Sequence, residues 1–342
     1  MRRRPLAAAL LGLALALLPT ACSDSGSGPA PAPRDDGARL LFRGGAKASA
    51  QNPAFSPDGR SLLFTVFHGG YNEGAAALRV LPLDAHGATK DPKKPGTLLD
   101  EDDRAAVNLP GASWNRSGEV AFASDRAGGP DEVWVLRPGG RPTRITAHDG
   151  SSGYLEPSFS PDGRWLVFQE SDESDPRRRG SLWKVRRDGT GATKLLDGPA
   201  TGTDNRQPNW SPTGDRLVFQ RRATDGGAWA LYTVGADGTG LRRITSAPGE
   251  HTDPSWSPDG RWVVFSSTAG GLEQPQIFAT RADGSGTPVR ITRNDTTYDG
   301  APSWSPDGRW IAFESHEGDE DRPTSLWRIP VPEGLLTSRR TS

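Results

Sequence analysis

The chain has 342 residues, a formal net charge of −1, and 41 basic against 42 acidic side chains scattered without blocks. That balance argues against a nucleic-acid partner, and a single cysteine rules out an internal disulfide. With 42 Gly, 30 Pro and 11 Trp, the composition is that of a turn-rich β protein whose rings carry much of the core.

Three arginines, Arg2 to Arg4, precede an apolar run from Leu6 to Leu18 that is too short to span a bilayer comfortably and reads as a secretory leader. Pro19-Thr20-Ala21-Cys22 follows. It resembles a bacterial lipoprotein cleavage box, although Pro19 stands where Leu is usual. The resemblance implies cleavage after Ala21 and lipidation of Cys22, with enough acyl chains for stable anchoring to a membrane. Ser23 after the cysteine, rather than Asp, resembles outer-membrane sorting in a Gram-negative cell; a Gram-positive cell would display the protein at its surface. Residues 22–38 are rich in Ser, Gly, Pro and Ala and form a tether.

From residue 39 the chain is periodic. A Ser-Pro-Asp-Gly element begins at Ser56, Ser160, Ser211 (as Ser-Pro-Thr-Gly), Ser257 and Ser305, with a variant, Asn-Arg-Ser-Gly, at Asn115. The spacing of about 50 residues is near the length of a propeller blade. An aromatic residue precedes each copy (Phe55, Trp114, Phe159, Trp210, Trp256, Trp304), and the strand after it ends in Phe64, Phe122, Phe168, Phe219, Phe265 or Phe313. Pro, Asp and Gly in that order suit a type I hairpin turn with a bulge. A third strand follows in each repeat, from Leu78–Leu81 to Leu326–Ile329, then an Asp-Gly turn and a fourth strand such as Arg242–Thr245 or Val289–Thr292. The fold class expected is all-β: a six-bladed β-propeller of four-stranded antiparallel blades over residues 39–337, with residues 338–342 as a tail.

The unit Pro-x-Trp-Ser-Pro-Asp-Gly-Arg, then Leu-Trp-x-Val-x-x-Asp-Gly and Ile-Thr, resembles the WD-like Pro-Asp repeat of the TolB carboxy-terminal propeller. The resemblance implies a protein-docking region at the channel mouth. TolB also carries an amino-terminal α/β domain, for which the residues before Arg39 offer only a tether. The expectation is therefore a TolB-like lipoprotein rather than TolB itself.

Two segments compete to close the ring, Arg39–Phe42 and Gly334–Thr337, and the amino-terminal one is favoured. The Asp column (Asp58, Asp162, Asp259, Asp307) belongs to turns. Long, dissimilar loops lie on the opposite rim, where binding is usually built. Channel-mouth residues expected to bind a partner are Gln51, Asn52, Asn108, Tyr154, Glu156, Asn205, Gln207, His251, Asp253, Tyr298 and Asp299. The acidic run Glu314 to Asp321 lacks the alternation of a calcium loop and reads as solvated.

No Gly-x-Ser-x-Gly elbow or extra α/β domain is evident, and His68, His86, His148, His251 and His316 are scattered singly. The function expected is a non-catalytic, monomeric, membrane-anchored envelope protein that docks an envelope or extracellular protein, with no cofactor and no metal. The alternative is a glycan-binding or metal-assisted glycan-active propeller, a lyase or hydrolase.

Overall fold

The computed structural model describes residues 33–335, apart from 46, 85, 90–94, 100–104, 107–112, 173–174, 176, 178 and 319–321. The leader, Cys22, most of the tether, Asn108 and the tail lie outside the described residues.

Six four-stranded antiparallel sheets form the body. Blade 1 holds β2 (Ser49–Phe55), β3 (Ser61–Phe67), β4 (Ala76–Pro82) and β5 (Gly96–Leu99). Blade 2 holds β6 (Ala105–Ala106), β7 (Val120–Ser124), β8 (Glu132–Leu136) and β9 (Thr143–Arg144). Blade 3 holds β10 (Gly153–Phe159), β11 (Trp165–Ser171), β12 (Ser181–Arg186) and β13 (Thr193–Leu196). Blade 4 holds β14 (Thr203–Trp210), β15 (Arg216–Ala223), β16 (Ala230–Gly235) and β17 (Arg242–Arg243). Blade 5 holds β18 (His251–Trp256), β19 (Trp262–Ser267), β20 (Gln276–Arg281) and β21 (Val289–Arg290).

Blade 6 takes β22 (Thr297–Trp304), β23 (Trp310–Glu317) and β24 (Ser325–Pro330) from the carboxy-terminal end and β1 (Arg39–Phe42) from the other. Strand β1 pairs antiparallel with β24, Leu40 opposite Trp327, so the amino-terminal strand fastens the ring. Of its competitor the structure describes Gly334 and Leu335, which belong to a 3₁₀ turn, Glu333–Leu335, that buries Leu335 between blades 5 and 6.

The Ser-Pro-Asp-Gly chemistry is visible atom by atom in blade 5. Ser257 Oγ donates to Asp259 at 2.7 Å and accepts the Trp262 amide at 2.9 Å, while Asp259 accepts the Arg261 amide at 3.0 Å. Gly260 takes φ +70°, the left-handed region that side chains resist. In blade 2, Asn115 does the work of the serine, accepting the Ser117 and Glu119 amides at 2.9 and 3.0 Å.

The fourth strands are shorter than the sequence suggests. In blades 4 and 5 the ladder stops at Arg243 and Arg290, because the next threonine turns its hydroxyl onto the neighbouring strand. Thr245 Oγ1 accepts the Leu231 amide and Thr292 Oγ1 the Ile277 amide, each at 2.9 Å, substituting for a backbone carbonyl.

Six clusters of buried apolar residues each join two adjacent blades. Between blades 5 and 6, for example, Trp304, Ile311 and Phe313 meet Val264, Ile277 and Ile291. All six phenylalanines of the second-strand column are fully buried, and truncating any one to Ala should cost about 3–5 kcal/mol.

Candidate functional site

Five first strands carry a bulge at one position, the residue before a proline. Asn52, Glu156, Gln207, Asp253 and Ala301 all have positive φ, between +44° and +56°, and the ladder slips a residue around each. A left-handed conformation costs a non-glycine residue about 1 kcal/mol, and such strain persists where the surroundings over-determine it. Here the determinant is a relay of hydrogen bonds from blade to blade.

Bulging frees the amide of each such residue from the ladder. The Gln207 amide donates to Glu156 Oε2 at 2.8 Å, and the Asp253 amide to Gln207 Oε1 at 2.9 Å. Asp253 in turn accepts the Ala301 amide. Ala301 has no polar side chain to pass the relay on, and Glu314 of β23 takes over, accepting the Asn52 amide at 2.8 Å. Gln207 Nε2 also donates to Asp253 Oδ1 at 2.6 Å.

Residues after the phenylalanine column back up the relay. Gln169 and Gln220 accept the Gln207 and Asp253 amides at 3.3 and 3.1 Å. Sequence reasoning missed Gln169 and Gln220 and misplaced Glu314, which is a buried residue of β23 rather than the start of a solvated acidic loop. Their signal was present: each is the polar residue directly after the buried phenylalanine that ends the apolar run of its strand.

The structure sorts the expected mouth residues into two sets. Asn52, Tyr154, Glu156, Gln207, Asp253 and Tyr298 are half-buried. Gln51, Asn205, His251 and Asp299 are not at the mouth surface; each is at most 1% exposed. The cause is that the first strands begin earlier than expected, so these residues are strand residues packed between blades rather than loop ends. His251 Nε2 donates to the Ala247 carbonyl at 2.9 Å and Nδ1 accepts from Ser267 Oγ at 2.8 Å; burial holds its pKa below the usual histidine value. Asn205 Nδ2 donates to the Gly180 carbonyl at 2.8 Å. Asp299 is taken by Arg34, described below.

Three carboxyl groups belong to the relay, and burial raises the pKa of each. Glu156 reaches about 8, despite the Gln207 amide and the Arg206 charge that favour its anion. Glu314 also reaches about 8, opposed by the Asn52 amide and pushed further by the charge of Asp253. Asp253 is raised too, against hydrogen bonds from Gln207, Thr252 and Ala301. Among the described residues, no lysine or arginine side chain makes a hydrogen bond or ion pair to any of the three. Nor do three His, Cys, Asp or Glu side chains there gather into a metal-binding group.

One loop reaches over this ring. Tyr71, between β3 and β4, donates its hydroxyl to Glu314 Oε1 at 3.1 Å and lies 3.2 Å from the Tyr298 hydroxyl. The Tyr298 ring stacks on His316 with centroids 4.8 Å apart. Across the ring, Tyr154 stacks on His148 at 4.1 Å.

The other end of the channel is lined by the turn motif itself. A cavity of about 400 Å³ is walled by the aromatic column, one ring from each blade, with the turn prolines around it. The Ser-Pro-Asp-Gly words thus build a cavity as well as a hairpin.

Residues 198–323, covering blades 4 and 5 and the first two strands of blade 6, match the family described as the TolB beta propeller domain. The propeller is TolB-like. A protein TolB homolog from Chlorobium chlorochromatii is 33% identical over 133 residues, which is 39% of this chain and 26% of that protein. A second, from Chlorobium luteolum, is 31% identical over 143 residues and matched over 28% of its length, so the TolB-like match spans about a quarter of these curated relatives. Among solved structures, a putative TolB from Agrobacterium tumefaciens superposes with a TM-score of 0.60 at 20% identity, covering 86% of this chain and 94% of that one. An oligogalacturonate lyase in complex with manganese superposes at 0.53 with 16% identity, covering 85% and 92%. At these identities the structural likeness shows the TolB-like fold alone.

Proposed function

We propose that this TolB-like chain is a non-catalytic envelope protein, monomeric and anchored through Cys22, whose long-loop mouth docks a protein partner. One observation carries the reading. Glu156 and Asp253 are half-buried at the mouth and Glu314 is buried beneath Tyr71; burial raises the pKa of all three, and among the described residues no lysine or arginine side chain is hydrogen-bonded or ion-paired to them as a cation. A lysine or arginine side chain from a partner would supply that cation, ionise the acids and release protons as it docks. Asn52, Gln207 and Tyr298 would bond the partner's backbone.

The test is site-specific photo-cross-linking in native envelopes from Asn52, with Asp253→Asn as the variant, which keeps an acceptor for the relay and cannot ionise. The reading expects a discrete adduct that weakens in Asp253→Asn while the melting temperature stays within a few degrees. An adduct that is unchanged in Asp253→Asn rejects the mouth as the docking site.

A second reading, glycan binding at the same mouth, is favoured by the stacked pairs Tyr298–His316 and Tyr154–His148, which flank carboxyl groups. Calorimetric titration with acidic oligosaccharides distinguishes it, since the protein-docking reading expects no heat.

A further inference from the structure

We infer that the cavity at the tight-turn end of the channel is a binding site for a small carboxylate with an apolar body, its head directed at blade 2. The site is separate from the long-loop mouth and does not depend on what the mouth binds.

Size and lining come first. About 400 Å³ lies within the range of small-molecule pockets. The walls are the aromatic column, and the collar above it is a ring of turn residues. Five of its six places are proline: Pro57, Pro161, Pro212, Pro258 and Pro306. The sixth is Arg116, because the variant turn of blade 2 reads Asn-Arg-Ser-Gly. Proline rings and indoles offer contact area with almost no polar demand; the neutral polar groups among them are Asn115, Asn209 and four serines, and the one charge is Arg116.

Unpaired donors point the same way. Trp210 and Trp304 donate their indole nitrogens to the carbonyls of their own turn glycines, Gly214 and Gly308, at 3.1 and 3.2 Å. Trp256 donates to the Asn209 carbonyl at 3.0 Å. Trp114 Nε1 is buried and has no acceptor among the described residues. Arg116 is exposed and likewise has no hydrogen bond or ion pair among them. Arg116 is thus the one cationic side chain in the cavity lining, while the Trp114 nitrogen is shielded from it. An anion in the cavity would give the Arg116 guanidinium a charge-assisted partner.

The nearby acids do not oppose such an anion, since Glu119, which accepts from Asn115 of the lining, is itself paired with Arg187 and Arg137. Asp58, Asp162, Asp259 and Asp307 do not line the cavity; each accepts from its own turn serine and from the amide two residues on. A sugar acid fits less well than an alkyl or aryl acid. Its hydroxyls would be buried against indoles and turn serines that already have partners.

The experiment titrates the purified full-length protein with octanoate, 1-octanol and glucuronate, followed by tryptophan fluorescence and calorimetry. Octanoate is expected to bind once per chain and about tenfold more tightly than 1-octanol, the increment of a charge-assisted hydrogen bond. Arg116→Gln should remove that preference and leave 1-octanol binding and the melting temperature unchanged, since Arg116 holds nothing else in place. Arg164→Gln, on the neighbouring turn but outside the cavity lining, should leave both ligands as they were. The proposal is overturned if octanoate does not bind, if it binds no better than 1-octanol, if Arg116→Gln retains the preference, or if glucuronate displaces octanoate.

Discussion

Arg34 lays two nitrogens on the Asp299 carboxylate, at 2.8 and 2.6 Å, with the two side chains 2% and 0% exposed. The guanidinium also reaches Asp36 and sits over the rings of Phe313 and Trp327, 5.2 and 5.5 Å from their centroids. Burial alone would lower its pKa, but Asp299 and Asp36 outweigh that and hold it above the usual value. Five residues ahead of β1, the chain is therefore pinned to blade 6 by a buried, fork-shaped ion pair.

Removing one partner of such a pair leaves an unpaired charge inside. Arg34→Ala should cost about 3–5 kcal/mol, measured by guanidinium denaturation. Arg34→Lys keeps a point charge but loses the fork, and should recover only part of the loss. Equal stability of Arg34→Ala and the parent would show that the clamp carries no energy.

Glu156 and Glu314 set a pH dependence whose sign follows from their raised pKa. Unfolded, both ionise near the usual glutamate value; folded, they hold their protons to about 8. Their contribution is fully present below the unfolded value and is lost as pH rises from about 4.5 through 8. Glu314→Gln keeps the acceptor for the Asn52 amide and removes the titration. Its melting temperature should exceed that of the parent by several degrees at pH 8.5 and match it at pH 4, checked by calorimetry.

The bulge relay predicts two substitutions of opposite effect. Gln207→Ala removes both the acceptor of the Asp253 amide and the donor to its carboxyl, and should cost about 1–3 kcal/mol. Ala301→Gly relieves a left-handed alanine whose side chain contributes nothing to the relay, and should be neutral or stabilising by up to about 1 kcal/mol. Urea denaturation of both variants checks the pair; a destabilised Ala301→Gly would mean that the methyl packs rather than strains.

Strand β1 covers the outer edge of β24, and its loss exposes that edge. Deleting residues 33–42 should convert the purified protein to concentration-dependent oligomers, read by light scattering. Monodisperse behaviour would show that another segment can close the ring.

Blade number, strand order and the closing strand were legible in the sequence because each depends on local chemistry repeated six times. A serine, a proline, an aspartate and a glycine close a hairpin wherever they occur together. The mouth was only half legible. Gln51, Asn205, His251 and Asp299 were assigned to it as the ends of the loops that lead into the first strands, but each already lies inside its strand with its side chain buried. The X-Pro pairs Asn52-Pro53, Glu156-Pro157, Gln207-Pro208 and Asp253-Pro254 were the available clue to the bulges. Nothing local marks Arg34 as the partner of Asp299, since the two are 265 positions apart and meet only when the ring closes. The cavity at the turn end was hidden for the opposite reason: its residues were too readily explained as turn grammar.

That long separation orders events in time. As the polypeptide emerges from amino to carboxy end, blades 1 to 5 can each assemble from contiguous segments, whereas the sixth must wait for its final strand before the first can be seated. Non-local docking of this kind is slow. Until it happens, the oldest part of the protein is a loose end beside an unfinished circle, and the Arg34 clamp is the latch that drops last.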